Sequence, residues 1–159
     1  MKDVFEEGLR LMAAGEDAAL STIVSSKGSL PMSKKAKMLV TADGTIIGTV
    51  GGGCLEADVW AEARDVMESG LSSLQKFILT EKHAGENGLN CGGNVEIFTE
   101  PLGSDSSGLF AEIAEIRSRR QSAVLATLVS GGEAHARKLL VRTDGSTRGS
   151  LGDPAFEIA

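Results

Sequence analysis

The strongest constraint on this chain is that it repeats itself. A helical stripe that begins at Phe5 realigns at Phe110, an offset of 105. At the same offset Leu20-Ser21-Thr22-Ile23-Val24-Ser25 falls on Leu125-Ala126-Thr127-Leu128-Val129-Ser130. Lys37-Met38-Leu39-Val40 and Asp43-Gly44 then fall on Lys138-Leu139-Leu140-Val141 and Asp144-Gly145 at an offset of 101. Gly48-Thr49-Val50-Gly51 falls on Gly149-Ser150-Leu151-Gly152. The second copy is shorter between its first two strands, where the first carries Gly28-Ser29-Leu30-Pro31. It is read as lacking the triple glycine of the first copy, the cysteine and the glutamate after it, with Asp153-Pro154 in their place. Chemistry is therefore expected in the first copy, and the second completes the sheet.

Periodicity supplies the elements. Val4, Phe5, Leu9 and Met12 make an apolar stripe over 3–14, which Gly15 ends. Residues 18–25 and 37–41 read as strands, and Asp43-Gly44 is a hairpin turn returning through 45–48. A helix follows over 54–69, with Leu55, Val59, Ala63, Val66 and Met67 inward and Gly70 as its stop. Strands are predicted over 74–80 and over 95–99, the latter closed by Pro101, with a glycine-rich loop over 85–93 between them. After a linker-like stretch over 103–108 comes a helix over 110–120, and Asp153-Pro154 starts a short last helix. The predicted class is α/β: a mixed β-sheet flanked by helices and built from two related halves. One domain over 1–159 is expected, with halves of about 1–102 and 108–159.

Charge and composition exclude several functions. A net charge of −6 argues against a broad nucleic-acid footprint, which needs clustered basic surface. No run is long and apolar enough for a membrane span, and Asp3, Glu6 and Glu7 make the start too acidic for a signal peptide. Two cysteines make no disulfide framework, so the cytoplasm is the expected compartment. Aromatics are 4% with no tyrosine, which disfavours a base-stacking platform.

Glycine is concentrated where the cysteines are. Gly48, Gly51, Gly52 and Gly53 precede Cys54, while Gly85, Gly88, Gly92 and Gly93 surround Cys91. Gly51-Gly52-Gly53-Cys54-Leu55-Glu56 stands at a strand-to-helix junction, where consecutive amides and the helix dipole favour an anion and a thiolate. Glu56 is read either as an acceptor for a ligand or as a complement to the dipole. The plain alternative is a tight turn with Cys54 as a small buried apolar residue. Asn90 and Asn94 flank Cys91-Gly92-Gly93, offering amides to a polar heterocycle; alone, that loop reads better as a turn or β-bulge, and the two glycine-flanked cysteines together favour a site. Gly28, Ser29 and Lys34, with Lys35 and Lys37, form a basic loop able to close on an oxyanion or to remain solvated.

These strings, from Gly28-Ser29-Leu30-Pro31 and Ala36-Lys37-Met38 through Gly51-Gly52-Gly53-Cys54-Leu55-Glu56 to Cys91-Gly92-Gly93-Asn94-Val95-Glu96, resemble the N-terminal module of the XdhC/CoxI family. The resemblance implies a maturation factor that binds molybdenum cofactor. Such a factor shields the cofactor while a cysteine desulfurase replaces an oxo ligand with sulfur, and delivers it to a molybdenum hydroxylase apoenzyme such as xanthine or carbon monoxide dehydrogenase. The implied cofactor contacts are Gly28, Ser29, Lys34, Gly51, Gly52, Gly53, Cys54, Glu56, Cys91, Gly92, Gly93 and Asn94, with Cys54 and Cys91 as the soft molybdenum contacts. Three departures stand out. Pro31-Met32 replaces a Pro-Arg, Lys35 replaces a glycine, and the Rossmann domain of longer relatives is absent, so no NAD(P) binding is expected. Neither catalysis, nucleic acid nor membrane is part of this reading; a homo-oligomer is compatible with it. The alternative is a sulfur-transfer or redox enzyme working through Cys54.

Overall fold

A computed structural model describes residues 3–28, 36–79, 93–103 and 108–156. Helix α1, Val4–Ala14, starts at Asp3, whose carboxylate accepts from the amides of Phe5 and Glu6 at 2.9 Å, and stops at Gly15. Strands β1 (Ala18–Lys27), β2 (Lys37–Thr41) and β3 (Ile46–Gly48) follow, then helix α2 (Gly53–Ser69) and strands β4 (Ser73–Ile78) and β5 (Asn94–Leu102). The second half contains α3 (Leu109–Ser118), β6 (Ala123–Thr127), β7 (Lys138–Arg142) and β8 (Thr147–Gly149). A 3₁₀ turn, Pro154–Phe156, is capped by Asp153 on the Ala155 amide, as its sequence predicts.

The α/β class and the two related halves are borne out. One expectation is corrected: the second half does not complete a single mixed sheet, because among the described residues the strands form two sheets, ordered β3-β2-β1-β5-β4 and β6-β7-β8, with every pairing antiparallel. The duplication holds at the level of register. Ala18 opposite Thr41 becomes Ala123 opposite Arg142, and Met38 opposite Gly48 becomes Leu139 opposite Gly149. Gly48 and Gly149 have φ of 83° and 90°, and a Cβ on either would overlap the carbonyl of Lys37 or Lys138. Glycine is obligatory there in both copies. The same register corrects one sequence reading: carried forward, the offset of 101 puts Glu157 where Glu56 stands, so the glutamate is repeated. Glu157 itself lies outside the described residues.

Alternation explains the layers. Ala19, Ile23, Met38, Val40, Val95 and Ile97 point to one face of the larger sheet and bury against Leu55, Val59, Ala63 and Val66 of α2. Leu39, Ala18 and Leu102 point to the other face, under Leu11 of α1. β5 runs through Pro101 rather than stopping before it. β4 extends only as far as Ser73 opposite Thr99, so β5 is an edge beyond that point, where a missing N–H is tolerated. The halves interlock: Phe5 packs against the Leu109, Ile113 and Leu140 cluster, and Lys138 Nζ holds both oxygens of Glu100 at 3.0 and 2.7 Å.

Candidate functional site

The start of α2 is placed by the strands on either side of it. Gly48 pairs with Met38, and the Thr49 amide donates to the Lys37 carbonyl at 3.0 Å, level with Thr22 in β1. The chain then runs on past Thr22 and turns into α2. The helix is 17 residues, about 25 Å, and its far end returns through Gly70 to Ser73, opposite Thr99. Its first turn therefore sits at the end of the sheet where Lys27 pairs with Asn94 and Asn94 with Ile78. Leu55 packs in one cluster with Ile23, Leu79 and Val95, the core residues of that end. Gly28, Gly51, Gly52, Gly53, Cys54, Glu56, Gly93 and Asn94 are thus brought to the same end of the sheet. Ser29, Lys34, Cys91 and Gly92 lie outside the described residues. Lys37, read from sequence both with the basic loop and as the start of a strand, is the first residue of β2, and its Nζ donates to Thr22 Oγ1 at 3.0 Å.

Gly51, Gly52 and Gly53 have φ of 138°, 83° and 63° in succession, a run that L side chains do not follow. Gly52 combines its φ with ψ of 175°, and a Cβ built there meets nothing within 4 Å. Among the described residues, backbone conformation rather than crowding demands glycine.

Side chains hold this loop in a way sequence reasoning missed. Glu56 Oε1 accepts from the Thr49 hydroxyl and from the Gly52 amide, the latter at 3.1 Å. Thr49 Oγ1 in turn accepts from the Gly51 amide at 3.1 Å. Two of the amides expected to meet an anion are therefore already bonded, and Glu56 braces the loop as a capping-box glutamate does. A threonine and a glutamate flanking three glycines was the available signal. The amides of Gly53, Cys54 and Leu55 meet no acceptor among the described residues, so the donors at the helix start are these three. The Cys54 thiol is exposed beside them, which removes the reading of a buried apolar cysteine. A β-bulge between Ile23 and Ser25 twists β1 as it approaches this end.

An anion on helix-start amides, with a soft thiol beside it, is the chemistry this geometry can supply. Residues 11–77 match the XdhC and CoxI family. The match bears out the resemblance read from the motifs and takes in the whole loop from Thr49 to Glu56. YqeB, an uncharacterised protein of Escherichia coli strain K12, is 34% identical over 96 residues, which are 60% of this chain and 18% of that one. A crystal structure described as a xanthine dehydrogenase from Bacillus halodurans superposes with a TM-score of 0.71 at 22% identity, over 94% of this chain and 45% of that one. The chain spans less than half the length of either, and the second likeness concerns the fold alone. The XdhC and CoxI segment ends in β4, short of the Cys91-Gly92-Gly93 loop and of the entire second half. Among the described residues, no helix is long and apolar enough to cross a membrane.

Proposed function

We propose that this chain binds molybdenum cofactor as a maturation factor for a molybdenum hydroxylase. The observation that carries the reading is the convergence at one sheet end of the α2 amides that meet no acceptor among the described residues, the exposed Cys54 thiol, and the Gly28 and Asn94 strand termini. Two properties of the site fit such a group. No described residue stands within 4 Å of a Cβ on Gly52, which leaves the backbone accessible to a ligand on that side, and a thiol is a suitable neighbour for a soft metal.

Once bound, the cofactor would bring the oxo-transfer chemistry that its client enzyme uses. The amides of Gly53, Cys54 and Leu55 hold its anionic group, with the helix dipole adding to the attraction. Glu56 positions those amides by fixing Gly52. Cys54 covers the metal side, and Asn94 meets a polar edge of the pterin, with Gly28 at the rim. Ser29, Lys34, Cys91, Gly92 and Gly93 complete the proposed contacts. On this reading the partners are a hydroxylase apoenzyme and a cysteine desulfurase, the compartment is the cytoplasm, and the chain carries cofactor without catalysing a reaction.

Anaerobic purification followed by metal and pterin analysis tests it. Stoichiometric molybdenum with pterin is expected for the parent chain, and loss of both for Gly52→Asp. A chain that retains neither when expressed with cofactor biosynthesis intact contradicts the proposal. The exposure of Cys54 favours one second reading, a sulfur carrier. A persulfide mass on Cys54 with no pterin retained would select it.

A further inference from the structure

Helices α1 and α3 pack side by side and leave between them an open cleft of about 620 Å³. α1 gives it Leu9, Arg10 and Ala13, while α3 and its C-terminal turn give it Ala114, Arg117 and Arg120. On each helix these residues recur at helical spacing, so one stripe of each faces the cleft. Leu9, Ala13 and Ala114 supply apolar surface. Three arginines line the cleft against one acid, Glu6, a local excess of positive charge in a chain whose net charge is −6.

The duplication shows where that charge was introduced. At the offset of 105, Arg117 and Arg120 stand where the first half has Met12 and Gly15. Met12 packs against the apolar cluster beneath α1, whereas Arg117 lies over the Phe5 ring at 5.2 Å and reaches Glu6 at 3.3 Å. Gly15 ends α1 with φ of 69°, the Glu16 amide donating to the Leu11 carbonyl. Gln121 repeats this bond to Ile116 at the end of α3, but the left-handed position there is Arg120, with φ of 55°. It is the one described residue other than glycine with positive φ. Glycine suits such a backbone better, so the turn itself does not call for an arginine. Arg120 makes no ion pair among the described residues.

The other two arginines are held loosely. Arg10 pairs with Glu7 and Glu16, and Arg117 with Asp3 and Glu6, but the two arginines remain 53% and 42% exposed, where water screens such pairs. A carboxylate brought into the cleft is met by Arg120 outright and can be shared by its neighbours. The walls decide what form the incoming segment takes. Backbone groups within a helix are already bonded, so these walls offer no ladder to an extended chain. An entering helix satisfies its own backbone, and the two alanines let it approach closely.

We propose that the cleft between α1 and α3 is a docking groove for an acidic amphipathic helix of a partner protein. Its apolar stripe lies on Leu9, Ala13 and Ala114, and carboxylates beside that stripe meet Arg120, Arg117 and Arg10. This is helix-in-groove recognition, with the guanidinium forks selecting carboxylates. The proposal does not depend on the cofactor reading, because α1 and α2 cover opposite faces of the larger sheet.

The probe is a fluorescein-labelled amphipathic peptide of about four helical turns, with leucine and alanine on one face and glutamate beside it. Fluorescence anisotropy against the full chain is expected to show saturable binding, which about 1 M salt weakens at least tenfold. The same peptide with glutamine in place of every glutamate also binds at least tenfold more weakly. Ala13→Glu, at an exposed helical position, abolishes binding without lowering the melting temperature. Arg120→Gly weakens binding severalfold while leaving the melting temperature unchanged or higher, a pairing of effects that a merely structural residue would not give. In amide NMR spectra the peptide shifts Leu9, Ala13 and Ala114 and leaves β2 unmoved. No saturable binding, or binding indifferent to the glutamates or to Arg120→Gly, overturns the proposal. Self-association of the chain that shifts the same residues and resists competition by the peptide overturns it too, assigning the groove to a second copy.

Discussion

At the scale of single residues, the glycine loop and one lysine make the sharpest statements. Gly52 sits where only glycine is at ease, so Gly52→Ala is expected to lower stability by about 1–3 kcal/mol although nothing crowds its Cβ. Urea denaturation measures this, and an unchanged midpoint would show that the loop rearranges freely. Lys37 is held below the usual lysine range, first by burial and then by Lys138, with Glu100 opposing. Because the folded chain gives up this proton at lower pH than the unfolded chain, stability rises as pH passes through the folded value toward 10.5. Lys37→Met therefore stabilises at neutral pH, and the advantage shrinks as the solution becomes alkaline. Thermal melts of both proteins from pH 7 to 10.5 report it. Sequence reading located the glycines and Cys54 but left Glu56 between a ligand and the helix dipole, because a brace between Thr49, Gly52 and Glu56 depends on a turn that linear spacing does not reveal.

Among elements, legibility tracked the strength of local signals. The α1 stop at Gly15, the Asp43-Gly44 turn and α2 with its Gly70 stop were readable because each rests on neighbouring residues. The extension of β5 through Pro101 was not, since it depends on where the distant β4 ends. The same holds for the pair Glu100–Lys138, which joins β5 to β7 with side chains only 12% and 7% exposed. Breaking a pair this buried leaves an uncompensated charge, so Glu100→Gln is expected to destabilise by about 3–5 kcal/mol. The double change Glu100→Leu with Lys138→Met should recover most of that loss. If chemical denaturation finds no such recovery, the pair is not a coupled unit.

For the whole molecule, duplication is the organising fact, and it was visible in the sequence because helix, strands and turns recur in one order. What the sequence could not supply was the way the copies interlock. Phe5 leaves its own half to pack beneath α3, and Phe110 lines the small cavity beside Leu102. Shared side chains of this kind predict a single cooperative transition, with calorimetric and van 't Hoff enthalpies equal. Two resolved transitions would mean that the halves fold separately. The halves are nonetheless unequal: three glycines and a thiol mark the start of α2, where the second half has Gly152, Asp153, Pro154 and Ala155. The proposed cofactor site is accordingly at the sheet end that carries them.

The rate at which iodoacetamide alkylates Cys54, followed by peptide mass spectrometry under anaerobic conditions, tests that placement most directly. With molybdenum cofactor present the rate at Cys54 should fall at least tenfold, and in Gly52→Asp it should be indifferent to the cofactor. Equal rates with and without the cofactor in the parent chain, at concentrations where binding is seen by other means, would put the ligand elsewhere.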